Sequence, residues 1–176
     1  MTSLTASDPR ALYTVKASAL GIVCAALDAA LWDTGRLGDS FQRRLVYHDR
    51  TPWDCPGQIS VYPSRVFVGQ HGAEQIQTVN ATDGATGFHT VDLTVEAVTC
   101  IATLDGTSVP DVDTLEADTQ FIDAIGWCMF VALLKAQQAG ALTPLTPSGR
   151  VLIGPLAPGG ARGGCAAVTL GISMQL

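Results

Sequence analysis

The glycine-rich segment Pro158-Gly-Gly-Ala-Arg-Gly-Gly164 is the first candidate for chemistry, because backbone amides in such loops can hold phosphate. A phosphate-binding loop follows a strand, precedes a helix N-terminus, and usually carries Gly-Lys-Ser or Gly-Lys-Thr. Here a strand-like alternating pattern follows the segment, and the segment contains no lysine. We therefore interpret it as a wide β-hairpin loop whose glycines supply positive φ and which presents Arg162 to a protein neighbour.

Histidine and cysteine, which bind most structural metals, are scattered along the chain. His48, His71 and His89 lie far apart in sequence, and none has a second His or Cys at helical spacing. His48 with Cys55, or His89 with Cys100, could meet in the fold, but each pair supplies only two of the four ligands that a structural zinc site needs. We therefore predict no metal and no other cofactor.

A nucleophile motif is not recognisable in the sequence. The chain has no Gly-x-Ser-x-Gly elbow and no Ser-x-x-Lys motif. Cys100 ends an apolar strand-like stretch and Cys128 lies in an apolar helical pattern, where burial raises the pKa of a thiol and lowers its reactivity. The sequence leaves a Cys–His pair open, but these patterns favour a protein that is not an enzyme.

An acidic cluster of Asp111, Asp113, Glu116 and Asp118 precedes a long helical pattern. Carboxylates there interact favourably with the positive end of the helix macrodipole. Calcium is disfavoured, because the spacing of an EF-hand and its central glycine are absent. The cluster therefore predicts a helix N-terminus.

Composition indicates one domain, 1–176, that is long enough to bury a core. Apolar residues make up 47% of the chain, and the mean hydropathy is +0.28. Charged residues make up only 15%, below the average of about 25%, which favours a surface partly hidden in contacts with other subunits. The net charge of −6 argues against a general nucleic-acid binder.

Targeting signals and cysteine usage both suggest a protein made in a cytoplasm. No apolar run reaches the roughly 18 residues of a membrane span, and the first residues lack a signal-peptide pattern. The five cysteines are odd in number and include no Cys-x-x-Cys. We therefore expect no membrane contact and interpret the cysteines as buried thiols.

Hydrophobic periodicity predicts two long helices, at about 8–32 and 113–139. The second has Glu116 as its capping-box partner and Gly140 just after its end. Strands are predicted at 41–49, at 58–68 with a bend at Pro63, at 88–103, from 151, and in a long segment that reaches 176. Residues 69–87 are predicted to be an exposed loop.

Two segments carry clear core-facing patterns. The final strand alternates Val168, Leu170, Ile172, Met174 and Leu176 with smaller and polar residues, so its end is expected to be fixed in a sheet. The core stripe predicted for the second helix is Leu115, Ile122, Ile125, Met129, Leu133 and Ala136. The element order predicts an α+β fold, with two long helices packed on a mostly antiparallel sheet that ends in a C-terminal β-hairpin.

Three segments share their patterns with one family of structural proteins. Thr51-Pro-Trp-Asp-Cys-Pro-Gly-Gln-Ile-Ser-Val-Tyr62 places an aromatic residue, Asp and Cys before an apolar strand. Thr90-Val-Asp-Leu-Thr-Val-Glu-Ala-Val-Thr-Cys100 is a strand that ends in Cys, and the segment from Ile153 to Leu176 runs from Gly-Pro through a Pro/Gly loop and Gly-Gly to an alternating strand. In these segments and in element order, nearly the whole chain resembles the tail terminator proteins of long-tailed, siphovirus-type phages that infect actinobacteria. It departs from them in that Pro110 comes ten residues after Cys100, where a closer Pro is usual.

The resemblance implies a structural virion protein that forms a hexameric ring. The ring caps the finished tail tube, ends tube polymerisation and joins the tail to the head. Its partners would be other copies of itself, the major tail-tube protein and the head–tail connector or stopper protein, with DNA passing through without sequence-specific contact. Its place would be the neck of the virion, after synthesis in the bacterial host cytoplasm.

A ring of this kind has a heterologous interface, in which one face of each subunit meets a different face of the next. We expect the interface at the helix after Asp113, at the final hairpin and at loop 69–87. We also expect Arg162, with Gly160 and Gly163 beside it, to contact another subunit or the tube. Arg43 and Arg44 are expected to pair with acidic residues of a neighbour.

Two other classes of function stay open at this point. A head-to-tail stopper or adaptor, or a tail-tube subunit, is compatible with the same fold. A small-molecule-binding or enzymatic α+β domain without a recognised motif would instead show a concave pocket with converging polar groups or perturbed ionisable side chains.

Overall fold

The computed structural model describes residues 10–33, 35–53, 56–68, 89–102, 110–142, 151–162 and 164–175. Within these residues the chain forms two long helices, one short 3-10 helix and seven strands. The helices are α1 (Ala11–Ala29) and α2 (Val112–Gln138), and the 3-10 helix is Leu37–Ser40. The strands are β1 (Leu31–Trp32), β2 (Gly35–Arg36), β3 (Arg43–Val46), β4 (Gln58–Val68), β5 (His89–Cys100), β6 (Val151–Arg162) and β7 (Cys165–Gln175).

Five of these strands form one sheet in the order β3-β4-β5-β7-β6, and β1 pairs with β2 in a small antiparallel hairpin. Neighbours in the large sheet are antiparallel except for β3 and β4, which run parallel. The predicted α+β fold, with two long helices and a C-terminal hairpin, is confirmed. The bend predicted at Pro63 is present as a register shift between Pro63 and Arg65.

The main core lies between the two helices and one face of the sheet. α1 packs over β3 and β4, and α2 packs over β6 and β7. The alternation that the sequence shows in β5 and β7 places their apolar residues on this face, as predicted. Fully or almost fully buried core residues include Val15, Ala19, Val23 and Leu27 of α1, Met129 and Leu133 of α2, Ile59 and Val61 of β4, Leu93 and Val95 of β5, and Leu170, Ile172 and Met174 of β7.

The opposite face of the sheet is polar, yet several of its side chains are buried. These are Gln58, Ser60, Thr90, Glu96 and Gln175. Parallel neighbours such as β3 and β4 need a crossover connection. The described part of that connection lies over this polar face, since Arg50 pairs with Glu96 and Trp53 packs against Val98.

The segment predicted to be a wide Gly/Pro loop belongs instead to a strand, so that prediction was wrong. β6 continues to Arg162 and pairs with β7, with register shifts between Ile153 and Leu156 and between Pro158 and Gly160. An edge strand tolerates proline and glycine, and bulges accommodate residues that do not fit the ladder. The hairpin connection is therefore shorter than the composition indicated.

The ends of α2 correct one prediction and confirm another. The helix is capped by Asp111, whose carboxylate accepts a hydrogen bond from the Thr114 N–H at 2.8 Å. The sequence had favoured a start at Asp113 with Glu116 as its partner. At the other end Gly140 has a φ of +71°, as expected for the residue that follows a helix.

The cysteines are not all buried thiols, contrary to the prediction. Cys24 is buried and Cys128 half-buried, and burial raises the pKa of both thiols. Cys100 is exposed and Cys165 is disulfide-bonded. The backbones of Cys100 and Cys165 lie opposite each other at the last rung of the β5–β7 ladder, but the disulfide of Cys165 does not involve Cys100. Cys55 lies outside the described residues.

Both long helices are apolar enough to cross a membrane by length and composition, which the sequence analysis did not expect. The mean hydropathy over 18 residues reaches 1.4 in α1 and 1.3 in α2. Core helices of soluble proteins meet the same criterion, and both helices line the core here. The criterion is therefore weak support for a membrane span.

Several predicted features lie outside the described residues. They are the start of the first helix at Asp8, the loop 69–87 with His71, and Leu176. The other predicted strands, at 41–49, 58–68 and 88–103, are confirmed as β3, β4 and β5.

Candidate functional site

The predicted contact residues of the final hairpin lie at one end of β6. Gly160 is exposed at a bulge with a φ of +90°, and open space surrounds the position that a Cβ would occupy there. The Arg162 backbone pairs with Cys165 at the last rung of the hairpin. Gly163 lies outside the described residues. The structure thus places Gly160 and the Arg162 backbone together on an edge strand.

Arg43 and Arg44, predicted to reach a neighbour, stand at the start of β3. Arg44 makes a bidentate ion pair with Asp28 of α1, with Nη1–Oδ2 and Nη2–Oδ1 distances of 2.7 and 2.5 Å. The hydrogen bond from Arg44 lowers the pKa of Asp28. Arg44 therefore has a partner inside its own chain, which ties the edge strand to α1. The Arg43 side chain is exposed.

The polar face of the sheet contains an ion pair that sequence reasoning missed. The Glu96 side chain is 0% exposed, and its Oε1 accepts hydrogen bonds from Arg50 Nε at 3.1 Å and Nη2 at 2.7 Å. The Arg50 guanidinium also lies 5.1 Å from the centre of the Trp53 ring, within the range of a cation–π contact. Alternation in β5 had assigned Glu96 to the outward face, and only the crossover segment buries it.

Two buried atoms beside this ion pair have no hydrogen-bond partner among the described residues. They are Glu96 Oε2 and Ser60 Oγ. Ser60 and Glu96 are direct partners in the β4–β5 ladder, so their side chains lie side by side on one face. Burial, and secondarily the charge of Glu96, raises the pKa of Tyr62 on the same face.

The outer side of α2 exposes large apolar residues. We call its first turns, residues 112–120, the overhang. They line an open depression of about 340 Å³, formed by Val112, Leu115, Glu116, Thr119 and Gln120. Val112 is 68% and Leu115 is 42% exposed. The prediction that Leu115 belongs to the core stripe was therefore wrong, because the sheet does not extend beneath it.

Exposed apolar residues also occur on the β1–β2 hairpin, farther along α2 and on β6. Leu31 and Trp32 are exposed on the β1–β2 hairpin, where the Trp32 ring lies 6.1 Å from that of Phe121. Trp127 is exposed on α2, and Leu156 is exposed on β6. These residues lie on several elements, and the Trp32–Phe121 contact joins the hairpin to α2.

Charged residues are distributed unevenly along the chain. Six acidic residues and no basic residue lie between 105 and 134, so the rest of the chain carries ten of each sign and is neutral. In α2 and just before it the exposed acids are Asp111, Asp113, Glu116 and Asp123. The entire formal charge of −6 therefore resides in the segment that contains the overhang.

Metal-binding geometry is not found in the described part of the chain, where no three His, Cys, Asp or Glu side chains come together. His48 is exposed, and its ring lies 4.5 Å from that of Tyr47. The His89 backbone belongs to β5.

No protein-family model matches the chain, and no curated protein matches it significantly.

Proposed function

We propose that this protein is a structural subunit of a siphovirus-type phage tail, acting as the terminator that closes the tail tube at the neck of the virion. Copies of the chain form a ring, which is the hexamer that the family resemblance implies, and the ring binds the major tail-tube protein on one side and the head connector or stopper on the other.

The observation that carries this proposal is the exposure of large apolar side chains on several elements of the surface. Large apolar side chains are exposed on the β1–β2 hairpin, on the overhang and beside β6. Monomeric proteins seldom need several such regions, whereas a subunit in a ring must meet two neighbours and an axial partner. The acidic α2 segment and the arginines at β2 and β3 also give the surface two electrostatic characters.

The test of this function is immunogold labelling of the protein on intact particles. Label confined to the head–tail joint supports a terminator or its immediate neighbour. The copy number per particle then gives the number of subunits in the ring. Label along the tail identifies a tube subunit, which would also self-assemble into long tubes. An absence of label on every particle overturns the virion assignment and favours a binding or enzymatic domain.

A variant tests the predicted contact of the hairpin. Arg162→Glu is expected to impair tail completion while leaving the circular-dichroism spectrum and thermal midpoint of the isolated protein unchanged. Lys135→Glu, which makes the same charge change in the last turn of α2, is the matched control. Normal tails and normal infectivity from Arg162→Glu contradict the contact.

A further inference from the structure

The apolar stripe of α2 that packs on the sheet continues past the point where packing stops. Its residues recur at alternating spacings of three and four, which places them on one side of the helix. They are Val112, Leu115, Thr119, Ile122, Gly126, Met129, Leu133 and Ala136. From Ile122 onward they contact or belong to the core, whereas Val112 and Leu115 are exposed.

Asp118 marks the level at which the sheet ends. Its Oδ2 accepts a hydrogen bond from the Ala102 N–H at 2.6 Å, two residues after β5 ends at Cys100. A helix rises 1.5 Å per residue, so the six residues from Val112 to Asp118 extend it by about 9 Å beyond that contact. The described residues from Asp111 to Gln120 are exposed, except for the half-buried Asp118.

The rim of the overhang restricts what can cover it. Asp111, Asp113 and Glu116 are exposed around Val112 and Leu115, and no basic residue occurs nearby in sequence. Negative charge repels nucleic acid and the anionic headgroups of a membrane surface. The matching surface is therefore apolar at its centre and carries arginine or lysine beside it.

The chain itself carries such a surface on the β1–β2 hairpin. Leu31 is 81% exposed and stands directly opposite Arg36 in the ladder, and the exposed Arg43 begins the edge strand β3. Within its own molecule the hairpin meets α2 through Trp32 and Phe121, and Phe121 is not part of the stripe. The hairpin thus presents Leu31 and Arg36 outside that contact.

We infer that the overhang of one copy receives the β1–β2 hairpin of a second copy, with Leu31 of the second copy against Val112 and Leu115 and its Arg36 beside Glu116. The two surfaces differ, so the contact is heterologous and can repeat from copy to copy around a ring. This inference rests on the proposed function, since it names the subunit contact of that ring.

The test is a charge exchange followed by native mass spectrometry and sedimentation velocity over a range of protein concentrations. Glu116→Arg and Arg36→Glu are each expected to weaken self-association at least about tenfold, because each places like charges together across the contact. The combined variant is expected to recover most of the wild-type association. Asp123→Arg, at an exposed acid of α2 that does not line the depression, is the matched control and should change little.

The outcomes separate this inference from the proposed function. A wild-type ring that is insensitive to both single exchanges, or a double variant that stays as weak as the singles, overturns the hairpin–overhang contact and leaves the ring in place. A wild-type protein that stays monomeric in solution, while gold label still marks the neck, also overturns the contact but not the function. If the protein floats with anionic vesicles and Leu115→Asp abolishes this flotation, the overhang binds a lipid surface and the hairpin–overhang contact is overturned.

Discussion

The two long helices lie on the same face of one sheet and have similar hydropathy, yet they differ in how much of each is covered. In α1 the apolar stripe is buried along its length, from Val15 to Leu27. In α2 the same kind of stripe contacts the core from Ile122 to Ala136, whereas Val112 and Leu115 are exposed. Apolar periodicity therefore reports which side of a helix is meant to be covered, while the sheet determines which part of it is covered within the monomer.

The two helices therefore contribute differently to the stability of the monomer. α1 is held at its end by the 3-10 helix and by the Arg44–Asp28 ion pair, and it contributes its apolar surface to the stability of the monomer. α2 contributes only its later turns to that stability. An exposed helical segment of about two turns is marginal in water without tertiary contacts, so the overhang gains most from a partner.

The largest expected effect comes from truncating matched leucines on the two helices. Leu27→Ala and Leu133→Ala remove fully buried side chains and should each lower the free energy of unfolding by about 2–5 kcal/mol. Leu115→Ala, on the same stripe as Leu133, should change it by less than about 0.5 kcal/mol in the monomer. Urea denaturation at low protein concentration measures all three, and a loss at Leu115 as large as that at Leu133 breaks the comparison.

A second expected effect concerns the close contact between the 3-10 helix and the end of α1. A Cβ at Gly38 would lie 2.9 Å from the backbone nitrogen of Asp28 and 3.0 Å from its Cα, and backbone atoms cannot rotate away. Gly38→Ala should therefore destabilise the protein by about 1–3 kcal/mol in thermal or urea unfolding. Gly35→Ala is the control, because its nearest neighbour is the end of the Asp39 side chain at 3.5 Å. Equal stability of the two variants would mean that the 3-10 helix is not packed closely against the end of α1.

A smaller effect is expected at the contact between α2 and the sheet. A Cβ at Gly126 would approach Val168 Cγ2 at 2.9 Å and the Leu156 methyl carbons at 3.2 Å, which are side-chain atoms rather than backbone atoms. Gly126→Ala also gains helix propensity of up to about 1 kcal/mol, which offsets the crowding. We expect a net change within about 1 kcal/mol, measured as for Gly38→Ala. A loss of several kcal/mol would show that α2 is packed as rigidly as the end of α1.

The smallest expected effect is a dependence on pH at the first turn of α2 that the first turn of α1 should lack. The hydrogen bond from the Thr114 N–H lowers the pKa of Asp111, so this cap stabilises the overhang above the ordinary carboxyl pKa and is lost as the pH falls through the lowered value. Hydrogen-exchange protection of 112–118 should fall at low pH relative to protection at neutral pH. The first turn of α1 has no side-chain cap and should not follow it.

The matched control for this pH effect is Asp111→Asn, which keeps an acceptor but does not titrate. Its overhang should exchange at a rate independent of this group, with protection close to that of the wild type at neutral pH. If the wild type and Asp111→Asn lose protection together on acidification, another group is responsible for the effect.

How much of this could be predicted depends on whether a feature is local. Alternation in β5 and β7 and the helical stripes predicted the core face correctly, because side-chain direction follows from secondary structure. Leu115 was assigned to the core wrongly, since its stripe position is local but the end of the sheet beneath it is not. Glu96 was missed for the same reason, because its burial depends on Arg50 and Trp53, more than forty residues away in sequence.

The length of β6 was missed for a different reason. Its glycines and prolines predict a loop when β6 is considered alone, and only pairing with β7 holds it extended. The arginines that the sequence analysis predicted to contact other subunits were Arg162, which lies beside a glycine, and the adjacent pair Arg43 and Arg44. Nothing local distinguished Arg44, which binds its own Asp28, from Arg36, whose position opposite Leu31 appears only in the folded hairpin.

The outermost described strands of the large sheet share a property that governs growth beyond one molecule. β6 contains Pro155 and Pro158, which carry no N–H, and its two bulges interrupt the outward row of hydrogen-bonding groups. β3, at the other side, has only four residues, and two of them are arginines. Neither strand offers a template on which the next copy could extend the sheet. Many copies can therefore lie close together without polymerising into a cross-β fibril.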